Sequence, residues 1–203
     1  MQELLDLYKI RKKEIKARIS DFKNVWKDGD ERIFEELCFC LFTPQSKAEA
    51  CWDAVLNLKR NNLLHKGDPD SMKQFLHNVR FYKTKSRRVI EARKHKKIKK
   101  DLENLSPVEA REWIVKNVNG MGYKEASHFL RNIGFADELM ILDRHILKNL
   151  VNYGVIQEIP NSMTPKRYFE IEEKMKKFSD KVGIPGAEMD ILLWSKETGK
   201  VFK

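Results

Sequence analysis

The sequence predicts an all-α fold on three grounds: apolar residues recur at helical spacing, helix-start signals are legible, and no alternating run is long enough for a strand. Leu4, Leu5, Tyr8, Ile15 and Ile19 recur at roughly i, i+3 or i+4 with charges between them, predicting an amphipathic N-terminal helix. Residues 31–42 are so apolar that the helix they predict must be buried. A further helix is predicted over about 46–58, with Ala48, Cys51, Trp52 and Val55 on one face. Pro44 just ahead of it suits a turn or helix start. Gly67-Asp68-Pro69-Asp70 reads as a plain loop, followed by helical patches near 71–79 and 84–99. Ser106-Pro107-Val108-Glu109 carries a Ser N-cap, a Pro at the first helical position and an acidic residue two further on, so a helix starts there and runs towards Asn117.

The 203 residues suffice for one compact unit or two subdomains sharing a cleft, and 41% hydrophobic content supplies a core. Lys and Arg number 40 against 30 Asp and Glu, and the resulting +10 favours a polyanionic partner such as nucleic acid. The same surplus also suits a Lys/Glu-rich protein from a hot habitat. The densest basic run, residues 93–100, reads better as a solvated helix face than as a phosphate-facing patch. No apolar run reaches the ~18 residues of a membrane span, and residues 1–19 lack a signal-peptide core, so a protein that stays inside the cell is expected. Cys38, Cys40 and Cys51 fall in one apolar stretch without zinc-site spacing and read as reduced core thiols.

The chemistry concentrates in Gly120-Met121-Gly122-Tyr123-Lys124 and, 19 residues beyond Lys124, in Leu142-Asp143-Arg144-His145. In the first, one helix ends, a glycine turn follows and a new helix begins, so amides at its N-terminus point outward beside the positive end of a helix dipole. Such a turn holds phosphate, although helix connections also use glycines for geometry alone. Asp143 follows an apolar triplet and suits a helix N-cap. If Ile133-Gly134-Phe135 reverses the chain, Asp143 returns to the mouth occupied by Lys124, and an amine and a carboxylate face one cleft.

These two motifs together resemble the helix–hairpin–helix, Gly/Pro-loop, Asp superfamily of DNA base-excision glycosylases. Residues 124–134 (KEASHFLRNIG), residues 155–160 and the segment from Trp194 to Lys203 resemble more narrowly the type-2 8-oxoguanine DNA glycosylase/AP lyases of archaea and some bacteria. The likeness is dense from about 118 onward and diffuse before. It implies two helical subdomains with the active site between them: residues 30–137 carrying the hairpin, and residues 1–29 packed with 138–203. It implies a bifunctional enzyme in which Lys124 attacks the sugar C1′ of a flipped 8-oxoguanosine and then nicks the strand through a Schiff base, while Asp143 stabilises positive charge at the sugar.

By the same resemblance Gly120, Met121 and Gly122 hold a DNA phosphate, and Phe81 and Trp194 grip the flipped base. Lys203 closes the pocket, its carboxylate accepting the N7 proton that only the oxidised base carries. Gln45, in Thr43-Pro44-Gln45-Ser46, resembles instead the residue of the endonuclease III branch that fills the gap left by the base. That branch is disfavoured, because its iron–sulfur cluster needs closely placed C-terminal cysteines and none follows Cys51. The expected partner is double-stranded DNA containing oxidised guanine, with no metal or cofactor, and the expected setting is a monomer in a prokaryotic cytoplasm, acting at the nucleoid. A glycosylase for another damaged base and a non-catalytic hairpin DNA-binding protein are the alternatives.

Overall fold

The computed structural model describes residues 1–203. The chain forms twelve α-helices and no strand. In order they are α1 (Gln2–Asp28), α2 (Asp30–Phe42), α3 (Ala48–Arg60), α4 (Leu63–Lys66), α5 (Pro69–Lys73), α6 (Tyr82–Ala92), α7 (Ile98–Leu102), α8 (Pro107–Asn117), α9 (Tyr123–Asn132), α10 (Arg144–Asn152), α11 (Pro165–Val182) and α12 (Gly186–Thr198). No helix is long and apolar enough to cross a membrane.

Side-chain caps start four of the helices, α5, α8, α10 and α11. Ser106 accepts from the Glu109 amide and Glu109 reaches back to Ser106, a reciprocal cap that starts α8. All but three of the residues in α2 are buried, as its composition requires. Two expectations are corrected. The 67–70 segment is not a plain loop: Asp68 accepts from the Asp70 and Ser71 amides, Pro69 takes the first helical position, and α5 begins there. Nor is 84–99 one helix with a solvated basic face. It breaks into α6, a 3-10 turn over Arg93–His95 and α7. Arg93 is turned inward to the carbonyls of Leu63 and Leu64, and Lys99 to that of Trp26. These cations tie segments together.

The three cysteines are buried and free. The interior divides into two apolar clusters. One, of 31 buried residues, is built around α2 with α3 to α9. The other, of 20, gathers α1, α10, α11 and α12. Membership changes between Phe22 and Val25 and again between Leu139 and Met140. We propose two subdomains divided near those points, close to the expected limits of 30–137 and 1–29 with 138–203. Three buried ion pairs cross the division: Arg111 of α8 on Glu172 of α11, at 2.6 and 3.0 Å, Arg131 of α9 on Asp190 of α12, at 3.2 Å, and Lys203 on Glu36 of α2. Such pairs fix register more than they stabilise.

Candidate active site

A cavity of about 730 Å³ opens between the two clusters, within the ~300–1,000 Å³ range of sites for small organic groups. Its walls come from the 43–49 turn into α3, from the cavity side of α9, from the Ile141–Ile146 segment, from α12 and from the last two residues. Lys124 and Asp143 both line it.

Each is delivered by a helix start. Residues 126–132 of α9 are all buried, so that helix threads the interior and only its first turn, with Lys124, emerges. Gly120 has φ +92, and a Cβ there would lie 2.5 Å from Arg88 Cδ, so this position of the hairpin takes glycine. Gly122 has an ordinary φ of −93 and serves as the N-cap of α9. Met121 anchors the turn from within, its side chain buried in the larger cluster and its amide donating to the Val118 carbonyl at 3.2 Å. None of these three residues lines the cavity; they form its neighbouring surface.

Gly134 then reverses the chain with φ +67 against α1, where a Cβ would lie 2.4 Å from Lys23 Cα. The buried return segment has its polar backbone satisfied: Met140 donates to Glu172 and accepts from the Tyr168 hydroxyl at 2.6 Å. Asp143 follows. One of its oxygens accepts from the Ile146 amide at 2.8 Å, capping α10. It is thus both a cap and a cavity wall.

The amine has its own partner. Glu125 holds Lys124 Nζ at 3.3 Å through one oxygen and accepts from the Gly122 amide at 3.3 Å through the other. A single carboxylate therefore spans the hairpin and the amine.

Three further polar residues of the cavity escaped the sequence reading. Asp190 is only 3% exposed, and its Oδ2 has no hydrogen-bond partner. Burial, with Asp143 nearby, lifts its carboxyl to about 6 despite the Arg131 guanidinium beside it. His128, 7% exposed, has both ring nitrogens unpartnered. Burial, reinforced by Arg131, Lys124 and Lys203, holds it well below its usual range, so it is neutral, with the Lys203 main chain beside it. The available signal was a lone charge inside an apolar helical run, as in Met189-Asp190-Ile191-Leu192-Leu193.

Gln45 lines the cavity from a left-handed backbone, φ +55, with an exposed side chain. Trp194 lines it too, but its aromatic neighbour is Phe202, at 6.5 Å between centroids. Phe81 is not brought to Trp194. Held at φ +58, it stands 53% exposed at the rim with its ring under the Arg80 guanidinium, and Arg80, not Phe81, lines the cavity. The Lys203 side chain is an anchor, not a reader. Its ammonium is buried against Glu36 and lies 3.7 Å above the Trp52 ring. No group of three or more His, Cys, Asp or Glu is arranged to hold a metal ion.

Comparison with known proteins places these features in context. The family described as 8-oxoguanine DNA glycosylase matches residues 15–184. A curated relative from Fusobacterium nucleatum, named 8-oxoguanine DNA glycosylase/AP lyase, is 49% identical over 99% of this chain and 96% of its own. One of the same name from Methanocaldococcus jannaschii is 38% identical over 93% and 91%. The crystal structure of the M. jannaschii glycosylase/lyase with a 15mer DNA containing 8-oxoguanine superposes with a TM-score of 0.91 at 33% identity, covering all of both chains.

Proposed function

The chain belongs to the 8-oxoguanine DNA glycosylase family, and from that premise we propose how its own residues excise 8-oxoguanine from DNA and nick the strand. It is a bifunctional DNA glycosylase/AP lyase of base-excision repair, of the bacterial and archaeal type; we propose that it works on the nucleoid, in the cytoplasm. The observation that carries the residue assignment is that an amine and a carboxylate, Lys124 and Asp143, reach one cavity from the starts of two different helices.

The Gly120–Met121–Gly122 hairpin presents the first-turn amides of α9 to a phosphate beside the lesion without reading sequence, and the +10 charge strengthens that contact at low salt. With the nucleotide extruded, the neutral amine of Lys124 attacks C1′. The new N–C1′ bond forms as the bond to N9 breaks; the base leaves with the electron pair and then takes up a proton. Asp143 offsets the positive charge growing at the sugar and accepts the amine's proton. Sugar-ring opening gives the Schiff base. Loss of a C2′ proton with departure of the 3′ phosphate cuts the strand.

Recognition follows from the cavity's unpartnered groups. Asp190 Oδ2 is a buried acceptor suited to the N1–H and amino group of a guanine edge. A main-chain oxygen of Lys203 is the acceptor for the N7 proton of the oxidised base. Trp194 supplies one stacking face. Phe81, exposed at the rim beside Arg80, offers a second flat face to the base as it enters.

A panel of duplexes bearing 8-oxoguanine, guanine, other damaged bases or an abasic site tests the reading. Excision of 8-oxoguanine far above the rest, with nicking of the abasic strand, is expected. Preference for another lesion, or excision without nicking, contradicts it.

Asp190→Asn separates recognition from cleavage. Loss of a charged acceptor is worth ~1.5–3 kcal/mol, so excision of 8-oxoguanine should fall about 10- to 150-fold. Abasic-site nicking, which has no base to read, should change little. In the unaltered protein the ratio of excision to nicking should drop as pH falls through about 6, where Asp190 takes up its proton. In Asp190→Asn the ratio should be flat, and an unchanged acid limb there removes Asp190 from base reading.

A further inference from the structure

The most deeply buried lysine in the molecule is not Lys124 but Lys85, 1% exposed in the first turn of α6. Burying an ammonium is unfavourable unless every donor is met. Here the count is complete. Nζ donates to the Phe42 carbonyl at 2.6 Å, the Pro44 carbonyl at 2.6 Å and the Ser46 hydroxyl at 3.0 Å. An ammonium has three N–H donors, one for each of these oxygens, and lends its charge to every bond; a neutral amine has two donors and keeps the Ser46 contact only if the hydroxyl proton turns towards it. The Phe42 carbonyl is the last of α2, where a helix leaves acceptors unpaired and a cation is favoured.

The three acceptors bracket one element of the cavity. Between Phe42 and Ser46 lies the turn that carries Gln45 at φ +55, a backbone state that costs a non-glycine residue ~1–2 kcal/mol. The network also extends sideways. Ser46 Oγ accepts from the Arg80 amide at 2.9 Å, so the same hydroxyl joins this turn to the Arg80–Phe81 turn, where Phe81 sits at φ +58. Two turns with left-handed residues, both at the cavity rim, are thus fastened to one ammonium. Apolar packing of α6 on α2 does not require this, since an unbranched apolar side chain would fill the same space.

We propose that Lys85 is a positioning residue for base excision: its buried ammonium latches the 43–46 turn and, through Ser46, the Arg80–Phe81 turn, holding Gln45 where an extruded base leaves its gap. The inference rests on the glycosylase reading above and on Gln45 meeting the DNA stack. Lys85 does not itself touch the reacting atoms.

The latch has a pH signature. Burial pushes Lys85 down to about 8. The charged and titratable groups facing it are Cys51 on α3, Lys124 and Glu125 on α9, and Arg88 along its own helix. The turn is therefore held by three charge-assisted bonds below about pH 8 and more weakly above it.

The test compares Lys85→Met and Lys85→Arg with the unaltered protein on two DNAs, a duplex with 8-oxoguanine opposite cytosine and the same duplex with an abasic site. Lys85→Met should lower single-turnover excision about 10- to 100-fold, the scale of ångström-level misplacement, with abasic-site nicking and borohydride trapping kept within about threefold. Lys85→Arg, which retains the charge and donors, should recover part of the loss. The unaltered protein's ratio of excision to nicking should decline above pH about 8, and that decline should vanish in Lys85→Met. In a Gln45→Ala background Lys85→Met should add no further selective loss, because the effect runs through the turn. If Lys85→Met does not fold, Ser46→Ala carries the same test and should show a smaller loss of the same selectivity. Equal losses on both DNAs, or losses additive with Gln45→Ala, overturn the proposal. Failure of the unaltered protein to excise 8-oxoguanine would instead sink the glycosylase reading.

Discussion

Lys124→Gln is expected to abolish strand nicking and borohydride trapping, and to lower 8-oxoguanine excision by at least ~10³-fold, because the covalent route disappears with the amine. Glutamine keeps the length and polarity of the side chain at a half-buried position in the first turn of α9. The neighbouring Glu125 continues to cap that helix through the Gly122 amide, so the fold is undisturbed. The variant should bind 8-oxoguanine duplex about as well as the unaltered protein and melt at the same temperature. Quantitative gel analysis of product and trapped complex, with binding measured alongside, checks it. Residual trapping in the variant would assign the covalent step to another amine.

Asp143→Asn should lower excision and nicking together by ~10²–10⁴-fold while leaving binding and stability near normal. The choice of asparagine matters, since Asp143 caps α10 through the Ile146 amide. Asparagine caps about as well as aspartate, whereas alanine costs ~1 kcal/mol of helix stability. A loss in Asp143→Asn therefore reports the missing charge. Asp143→Ala should add to it a fall of roughly 2–4 °C in melting temperature. Turnover of Asp143→Asn at the unaltered rate would leave Asp143 with its cap alone.

The helices were largely legible because burial repeats on a helical period and because Ser106 with Glu109 forms a reciprocal cap visible in four consecutive residues. The same logic was available at Asp68-Pro69-Asp70-Ser71, where loop-forming residues happen to make a helix start. The segment 84–99 misled because Arg93 and Lys99 are cations that point inward to carbonyls, which residue type alone does not disclose. Lys85 is hidden for the same reason, one basic residue among several in α6.

At the site, Lys124 and Asp143 were legible through the hairpin and the apolar triplet ahead of Asp143. Asp190, His128 and Arg131 were not, since their meaning depends on two helices from different clusters meeting. The glycine pair shows the limit of spacing as evidence. Gly120 and Gly122 look equivalent in sequence, yet only Gly120 adopts a positive φ. Phe81 belongs to the same class: a flat side chain in the sequence, it stands exposed on a left-handed turn under Arg80 and does not line the cavity.

The attack of the Lys124 amine on the sugar is the claim on which the rest depends. Digesting the borohydride-reduced complex with 8-oxoguanine duplex and sequencing the DNA-bearing peptide by mass spectrometry examines it directly. The adduct should lie on Lys124, within the peptide that contains Tyr123 and Glu125. An adduct on Lys85, Lys203 or the N-terminal amine, with Lys124 unmodified, would contradict it.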